Sequence, residues 1–265
     1  MAPAALAVAL TMRGGGARPL IVTLASSTGL PHDAIAYVAS ASLMVATVET
    51  VKALNKLGVF TTPVTRKLMH MSAGPVFMLT WPFFKSRRSA LWAACVPLAM
   101  TLKFALVGLG ILNIEADVRT MSRSGDRAEL LRGPLLYGVV FVVSTALWFR
   151  ELPASVALLA LCFGDGVADV IGRRWGQEHK LPWGPRKSWA GSAGFLASSF
   201  FACLCGSMAF YRCGWSAKPG IECWVPVLIA CAVGAAVESL PMKDVDNILV
   251  PFAVAAVFLL TRNGP

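Results

Sequence analysis

Two aspartates, Asp165 and Asp169, follow a long apolar run in the segment Gly164–Gly176, which also holds four glycines and two arginines. The preceding run, Leu152–Phe163, has the composition of a membrane helix, where an unpaired carboxylate costs several kcal/mol. Because the two acids are four residues apart, a helix places them on one face. Paired acids beside glycines and arginines fit a site for a metal ion and phosphates. The alternative is a structural ion pair between Asp169 and Arg173 or its neighbour Arg174.

A second group of candidates, Arg66, Lys67 and His70, opens another apolar segment. A helix would place Arg66 and His70 on one face with Lys67 beside them. Arginine offers a planar fork and lysine a point charge for phosphate oxygens. The alternatives are two interfacial cations whose stems cover apolar surface, and a histidine that serves only packing.

The loop Trp175–Trp189 is rich in Gly, Pro and Trp and ends in Lys187-Ser188 before a new apolar segment. Ser188 would cap the following helix and leave backbone N–H groups beside Arg186 and Lys187. A helix N-terminus with adjacent cations can bind an anion, although an ordinary capped helix fits as well. The Walker A pattern is absent from the sequence.

A further polar cluster separates the last two apolar segments and contains Glu238, Asp244, Asp246 and Asn247. Glu238 ends an apolar run, where an unpaired charge is unfavourable. Asp246 and Asn247 could hold a second metal ion, or Asp246 could accept a proton from an alcohol. The alternative is a polar turn that caps the last helix, which fits Asp244 equally well.

The elements that must position these residues are apolar helices. The chain is 56% hydrophobic and only 14% charged, against about 25% charged residues in soluble domains. Its apolar blocks predict an all-α, polytopic membrane bundle, although several blocks are shorter than the ~20 residues of a full span. The eight predicted segments are 34–54, 68–84, 89–112, 135–149, 152–171, 191–210, 224–240 and 248–261.

If all eight segments cross, the loops after the first, third, fifth and seventh share one side of the membrane. Those loops carry Arg66-Lys67, the run Ser122–Asp126, the run Arg173–Lys187 and Asp246. The chemically rich loops therefore converge at one membrane face. In domain terms, residues 32–265 are predicted to form one membrane-embedded unit.

Residues 1–31 contain no acidic residue and many Ala, Ser and Thr, which predicts a transit peptide or a disordered N-terminus. The net charge of +10 comes largely from short loops between apolar blocks. Anionic headgroups or a nucleotide polyphosphate fit such loops, so we expect a lipid bilayer and no nucleic acid as partner. The sequence leaves the oligomeric state open.

Taken together, these residues resemble the polyprenol kinase family, and within it the phytol kinase and farnesol kinase branch. The resemblance covers about Glu49–Pro251, and the order and spacing of its pieces make it specific. The matching pieces are Arg66-Lys67-x-x-His70, Ser122–Asp126 with Glu129–Pro134, Gly164–Gly172, Lys187-Ser188-x-x-Gly191-Ser192, Glu238–Pro241 and Asp246-Asn247. One departure is Ala190, where many relatives carry an acid; it puts in doubt any role for a carboxylate at that position.

The resemblance implies transfer of the γ-phosphate of CTP to a prenyl alcohol with Mg²⁺. For phytol kinases it also implies a plastid membrane and a role in tocopherol synthesis. Such transfer depends mainly on positioning and charge neutralisation. The roles that we expect are Asp165 and Asp169 for Mg²⁺; Arg66, Lys67, Gly172, Arg173, Lys187, Ser188 and Asn247 for the nucleotide; and Asp246 or His70 for the alcohol.

Two other readings remain at this point. A CTP-using cytidylyltransferase, such as one acting on phosphatidate, also has paired acids and a Lys-Ser loop, but it would release pyrophosphate rather than CDP. A transporter of an anionic metabolite would use the basic loops as a vestibule. Its intramembrane charges would lie near the membrane midplane, whereas the charges here cluster near segment ends.

Overall fold

The computed structural model describes residues 17–212, 221–242 and 245–262, and these are almost entirely helical. Three helices carry a proline in the first turn (Pro63, Pro134 and Pro153), where its fixed φ suits a helix start and its missing N–H costs nothing. The helices are α1 Ala17–Thr28, α2 His32–Lys56, α3 Thr62–Leu79, α4 Ala90–Gly108, α5 Glu115–Met121, α6 Gly133–Trp148, α7 Leu152–Leu159, α8 Gly166–Trp175, α9 Trp189–Arg212, α10 Ile221–Glu238 and α11 Asp246–Arg262.

Short elements join these helices. Three 3₁₀ turns span Trp81–Phe83, Arg87–Ser89 and Arg127–Leu131, and a π-helical turn, Ala160–Asp165, links α7 to α8. A small antiparallel ribbon consists of β1, Lys180–Leu181, and β2, Gly184–Ser188.

Five helical stretches are long and apolar enough to cross a membrane. They are His32–Lys56, Arg87–Gly108, Arg127–Trp148, Leu152–Trp175 and Trp189–Arg212; the stretch Cys223–Glu238 is apolar but shorter. The predicted all-α, membrane-type bundle is therefore confirmed. Each of the eight predicted segments contains helix, but the number of eight crossings stays a prediction. Likewise, the assignment of residues 1–31 stays a prediction: α1 occupies part of that segment, and residues 1–16 lie outside the described residues.

The stretch Leu152–Trp175, which carries the two aspartates, is the most buried of the five, with 67% of its apolar window inside the bundle. Its π-helical turn packs against α3, α9, α10 and α11. Gly164 permits this close approach, because a methyl group there would lie 2.6 Å from the ring of the fully buried Phe195. The bundle therefore surrounds the helix that bears the motif.

One end of the bundle is tied together by polar contacts among loops. Asp33 accepts hydrogen bonds from the backbone N–H of Lys85 (2.9 Å) and the hydroxyl of Ser89 (2.7 Å). Arg150, in the turn between α6 and α7, donates to the carbonyl oxygens of Trp81 and Phe84, each at 2.6 Å. These loops are the ones that the alternating arrangement places away from the predicted site.

Candidate active site

The four chemically rich loops meet in one open cleft of about 670 Å³. Arg66 and Lys67 reach it from α3, Arg123 from the loop after α5, and Asp246 from the start of α11. The segment from α8 through β2 forms a further wall. Among the residues that the structure describes, these loops therefore lie together, and their placement at one membrane face stays a prediction.

Lys67 links the two aspartates of the motif. Its ammonium nitrogen lies 2.9 Å from Oδ2 of Asp165 and 3.8 Å from Oδ2 of Asp169. The Lys67 side chain is only 10% exposed, so the cation is held inside the wall of the cleft, between both carboxylates. The helical spacing of the acids thus produces the shared face that the sequence predicted.

Asp169 also forms the ion pair that was considered as the alternative to a metal site. The guanidinium of Arg173 donates to both carboxylate oxygens of Asp169, at 2.8–3.0 Å. Arg174 instead lies over the ring of Trp175, with 5.5 Å from its guanidinium carbon to the ring centroid. Each aspartate of the motif therefore has a cationic partner.

A second ionic cluster lines the same cleft. The ammonium of Lys187 is 2.5 Å from Oε1 of Glu238 and 3.4 Å from Oδ2 of Asp246. Burial lowers the pKa of Lys187, but the two carboxylates outweigh it and hold that pKa above its ordinary value. Burial raises the pKa of Asp246, and the charge of Lys187 opposes the rise. Lys187 therefore stays protonated, and its positive charge balances the negative charge of Glu238.

The ribbon fixes Lys187 in this position. The indole N–H of Trp183 donates to the hydroxyl of Ser239 at 3.2 Å, which ties the ribbon to the end of α10. Ser188 closes the ribbon, and its hydroxyl accepts a hydrogen bond from the backbone N–H of Gly191 at 3.1 Å. The predicted cap of the sixth apolar helix by Ser188 is confirmed.

Gly172 has a clear spatial role at this junction. A methyl group there would lie 3.2 Å from Oγ of Ser188 and 3.7 Å from Cα of Gly191. The glycine therefore lets α8 approach the start of α9, so that the capped helix and the two aspartates line the same cleft.

The cleft carries more positive than negative charge, with seven basic and four acidic side chains in its lining. Sequence reasoning did not assign Arg123, Gln177 or Lys180 to the site. The position of Arg123 in a loop predicted for the same membrane side was the available signal. The basic residues are Arg66, Lys67, Arg123, Arg173, Lys180, Arg186 and Lys187, and the acidic residues are Asp165, Asp169, Glu238 and Asp246.

Two of the sequence candidates do not line this cleft. His70 lies one turn further along α3 and faces an apolar cavity, where its ring packs edge-to-face on Tyr137. Asn247 is directed elsewhere: a methyl group on Gly133 would lie 3.9 Å from its side-chain nitrogen. Asp244 falls outside the described residues.

The donor set restricts what this site can hold. No cluster of three or more His, Cys, Asp or Glu side chains with metal-binding geometry occurs within 17–212, 221–242 and 245–262. Asp165 and Asp169 offer hard oxygen donors, which suit Mg²⁺ when substrate oxygens complete its coordination. The surrounding cations suit a polyphosphate. The arrangement thus fits a metal–nucleotide complex better than a metal held by protein alone.

Comparison with known proteins points to plant kinases. The chain is 40% identical over 234 residues to probable phytol kinase 2, chloroplastic, of Oryza sativa subsp. japonica, covering 85% of this chain and 75% of the relative. It is 35% identical over 252 residues to phytol kinase 1, chloroplastic, of Arabidopsis thaliana, covering 91% and 81%. It is 39% identical over 197 residues to farnesol kinase, chloroplastic, of the same plant, covering 73% and 64%.

No family model and no solved structure matches the chain. The extent of the first two alignments nevertheless settles the assignment, because each spans more than two thirds of both sequences. The chain belongs to the family of phytol kinases and farnesol kinases.

Proposed function

We propose that this protein is a membrane kinase that transfers the γ-phosphate of a nucleoside triphosphate, expected to be CTP, to an isoprenoid alcohol, most simply phytol. The observation that carries the proposal is the basic cleft with Asp165 and Asp169 in a chain of this family. Relatives with chloroplastic names support a plastid membrane as its location. There, phytyl phosphate would feed tocopherol synthesis.

In the proposed reaction the alcohol oxygen forms a bond to the γ-phosphorus. The bond from that phosphorus to the β,γ-bridging oxygen breaks, and the nucleoside diphosphate leaves. The alcohol proton passes to a base, for which Asp246 in the cleft and His70 beside it are the candidates. A base is a secondary contribution, because positioning and charge neutralisation dominate phosphoryl transfer.

Each wall of the cleft has a distinct task in this proposal. Asp165 and Asp169 would hold Mg²⁺, which neutralises charge on the transferring phosphoryl group. Lys67, already held between the two acids, is placed to contact the polyphosphate, with Arg66 beside it. Lys187, in the second ionic cluster, contributes a second point charge.

Product analysis tests the proposal directly. Purified protein in mixed micelles receives phytol, farnesol or geranylgeraniol with radiolabelled CTP or ATP, with and without Mg²⁺. We expect prenyl monophosphate and CDP in the presence of Mg²⁺. Release of pyrophosphate would indicate a cytidylyltransferase instead. A preference for diacylglycerol over phytol would also contradict the proposal and indicate a lipid kinase.

A further inference from the structure

We infer that the hydrocarbon chain of the alcohol occupies an apolar chamber lined by α2, α3, α4, α5 and α6. This inference rests on the proposed function and gives that function a substrate site. The open space in the chamber is about 80 Å³ and its lining is almost entirely apolar. The elements around it contribute, among others, Val48, Ala73, Phe104, Met121 and Phe141.

The two hydroxyl groups of the chamber are already engaged within the protein. The hydroxyl of Tyr137 donates to the carbonyl oxygen of His70 at 2.9 Å. The hydroxyl of Thr101 donates to the carbonyl oxygen of Pro97 at 2.7 Å. The chamber therefore presents mainly hydrocarbon, and burial of a hydrocarbon chain there is favourable, whereas ester groups would lack partners.

The chamber adjoins the cleft along two segments of the chain. His70 lines the chamber, and Lys67, one turn earlier in α3, lines the cleft. Met121 lines the chamber, and Arg123, two residues later, lines the cleft. An alcohol whose hydrocarbon chain lies in the chamber would therefore place its hydroxyl group near Lys67 and Asp165 in the cleft, where the phosphate is expected.

Four methionines surround the chamber: Met44, Met69, Met100 and Met121. Methionine is unbranched and adapts its rotamer to the space available. An apolar cavity of about 150 Å³ holds a single benzene ring, so an isoprenoid chain can enter this chamber only if the methionines change rotamer and widen it. Relatives named for phytol and for farnesol, a longer and a shorter isoprenoid alcohol, fit such an adaptable site.

A lateral groove offers a competing route for the chain. It runs past Pro63, Val64 and Val170 to Lys67 and Asp169. Val64 is 43% exposed and Val170 46% exposed, so this groove is open to the surroundings rather than enclosed. A chain in the groove would stay largely in contact with lipid, and its length would affect binding little.

The variant Ala73→Phe, which fills the chamber, separates these routes, with Val64→Phe in the groove as its matched control. We expect Ala73→Phe to lower kcat/KM for phytol relative to geraniol by about fourfold for each CH₂ that the added ring displaces from the chamber. The KM for the nucleotide should not change. Val64→Phe should leave the phytol-to-geraniol ratio as in the unmodified protein. An equal loss for both alcohols, or a selective loss in Val64→Phe, would overturn the chamber assignment.

A measurement on the unmodified protein covers the case in which Ala73→Phe fails to fold. A prenyl alcohol with a terminal diazirine should label peptides from residues 69–77 and 97–104, and excess phytol should suppress that labelling. Labelling that phytol does not suppress would mean that the probe reaches these residues from the bilayer without a saturable site, and absence of labelling would mean that the chain lies elsewhere; either result overturns the inference. If the unmodified protein phosphorylates no prenyl alcohol of any length, the proposed function fails, and that result is distinct from a failure of the chamber.

Discussion

Asp165 is the residue at which a catalytic and a structural role can be separated. We expect Asp165→Asn to lower kcat by roughly a thousandfold or more, because a metal ligand in phosphoryl transfer is worth several kcal/mol. The measurement is single-turnover transfer at saturating Mg²⁺, together with thermal unfolding in the same detergent. Near-normal turnover by a folded Asp165→Asn protein would contradict the metal assignment.

The control for Asp165→Asn is the double variant that also removes Lys67. If the pair only stabilises the fold, Lys67→Met should restore stability and activity together, because no unpaired buried charge then remains. If Asp165 instead holds Mg²⁺ and Lys67 contacts the polyphosphate, the double variant should recover stability and stay inactive. We expect the second result.

Lys187 permits a similar separation of roles in the second ionic cluster. Lys187→Met leaves Glu238, whose side chain is 8% exposed, without its cation and should cost about 2–3 kcal/mol of stability. Adding Glu238→Gln should recover most of that loss. The KM for the nucleotide should stay raised in both variants, because the point charge for the polyphosphate is missing. A normal nucleotide KM in the double variant would show that Lys187 only neutralises Glu238.

Spacing in the sequence reveals local ion pairs and conceals distant ones. The pair of Asp169 with Arg173, which helical spacing offered as the alternative to a metal site, is present. The contact of Lys67 with Asp165 joins residues 98 positions apart, and no spacing rule can indicate it. Family resemblance brought the two residues into one site, but only the fold places their charged atoms together.

The sequence predicts the presence of a helix more reliably than the residue at which that helix begins or ends. The second segment was expected from Leu68, but α3 begins at Thr62, so Arg66 and Lys67 lie within the helix. Pro63 was the available signal, because proline favours the first turn. The ribbon Lys180–Ser188 and the short helix α5 were not predicted, since neither has a clear apolar period.

The π-helical turn Ala160–Asp165 depends on tertiary packing, and Gly164 is where that packing can be tested. We expect Gly164→Ala to cost about 1–3 kcal/mol, because its methyl group would overlap the ring of Phe195. Gly133→Ala is the matched control: its methyl group would lie 3.9 Å from the side-chain nitrogen of Asn247, in ordinary contact. Thermal unfolding of both variants should show a loss for Gly164→Ala alone. Equal melting temperatures would mean that α7 and α8 can shift freely around Phe195.

At the scale of the whole molecule, the loops form two separate groups. One group surrounds the cleft, with Arg123 and Arg186 among its exposed members. The other group includes Asp33, Arg150 and the ion pair of Arg87 with Glu151 at 3.0 Å. An alternating path through a bilayer separates loops in this way, and the excess of basic residues at the cleft is explained by phosphate binding as well as by membrane orientation.

Thiol labelling in sealed vesicles tests this arrangement. Single cysteines replace Arg123, Arg186 or Arg87 on a background without the seven native cysteines, and an impermeant maleimide is added from one side. Positions 123 and 186 should react from the same face, because two apolar helical stretches lie between them, Arg127–Trp148 and Leu152–Trp175. Position 87, whose native side chain is 67% exposed, should react from the other face, because one stretch, Arg87–Gly108, separates it from position 123. Detergent should expose all three positions equally, which controls for differences in cysteine reactivity.

Labelling of positions 123 and 186 from opposite faces would show that the cleft is not assembled at one membrane surface. The shared site for nucleotide and alcohol would then be untenable.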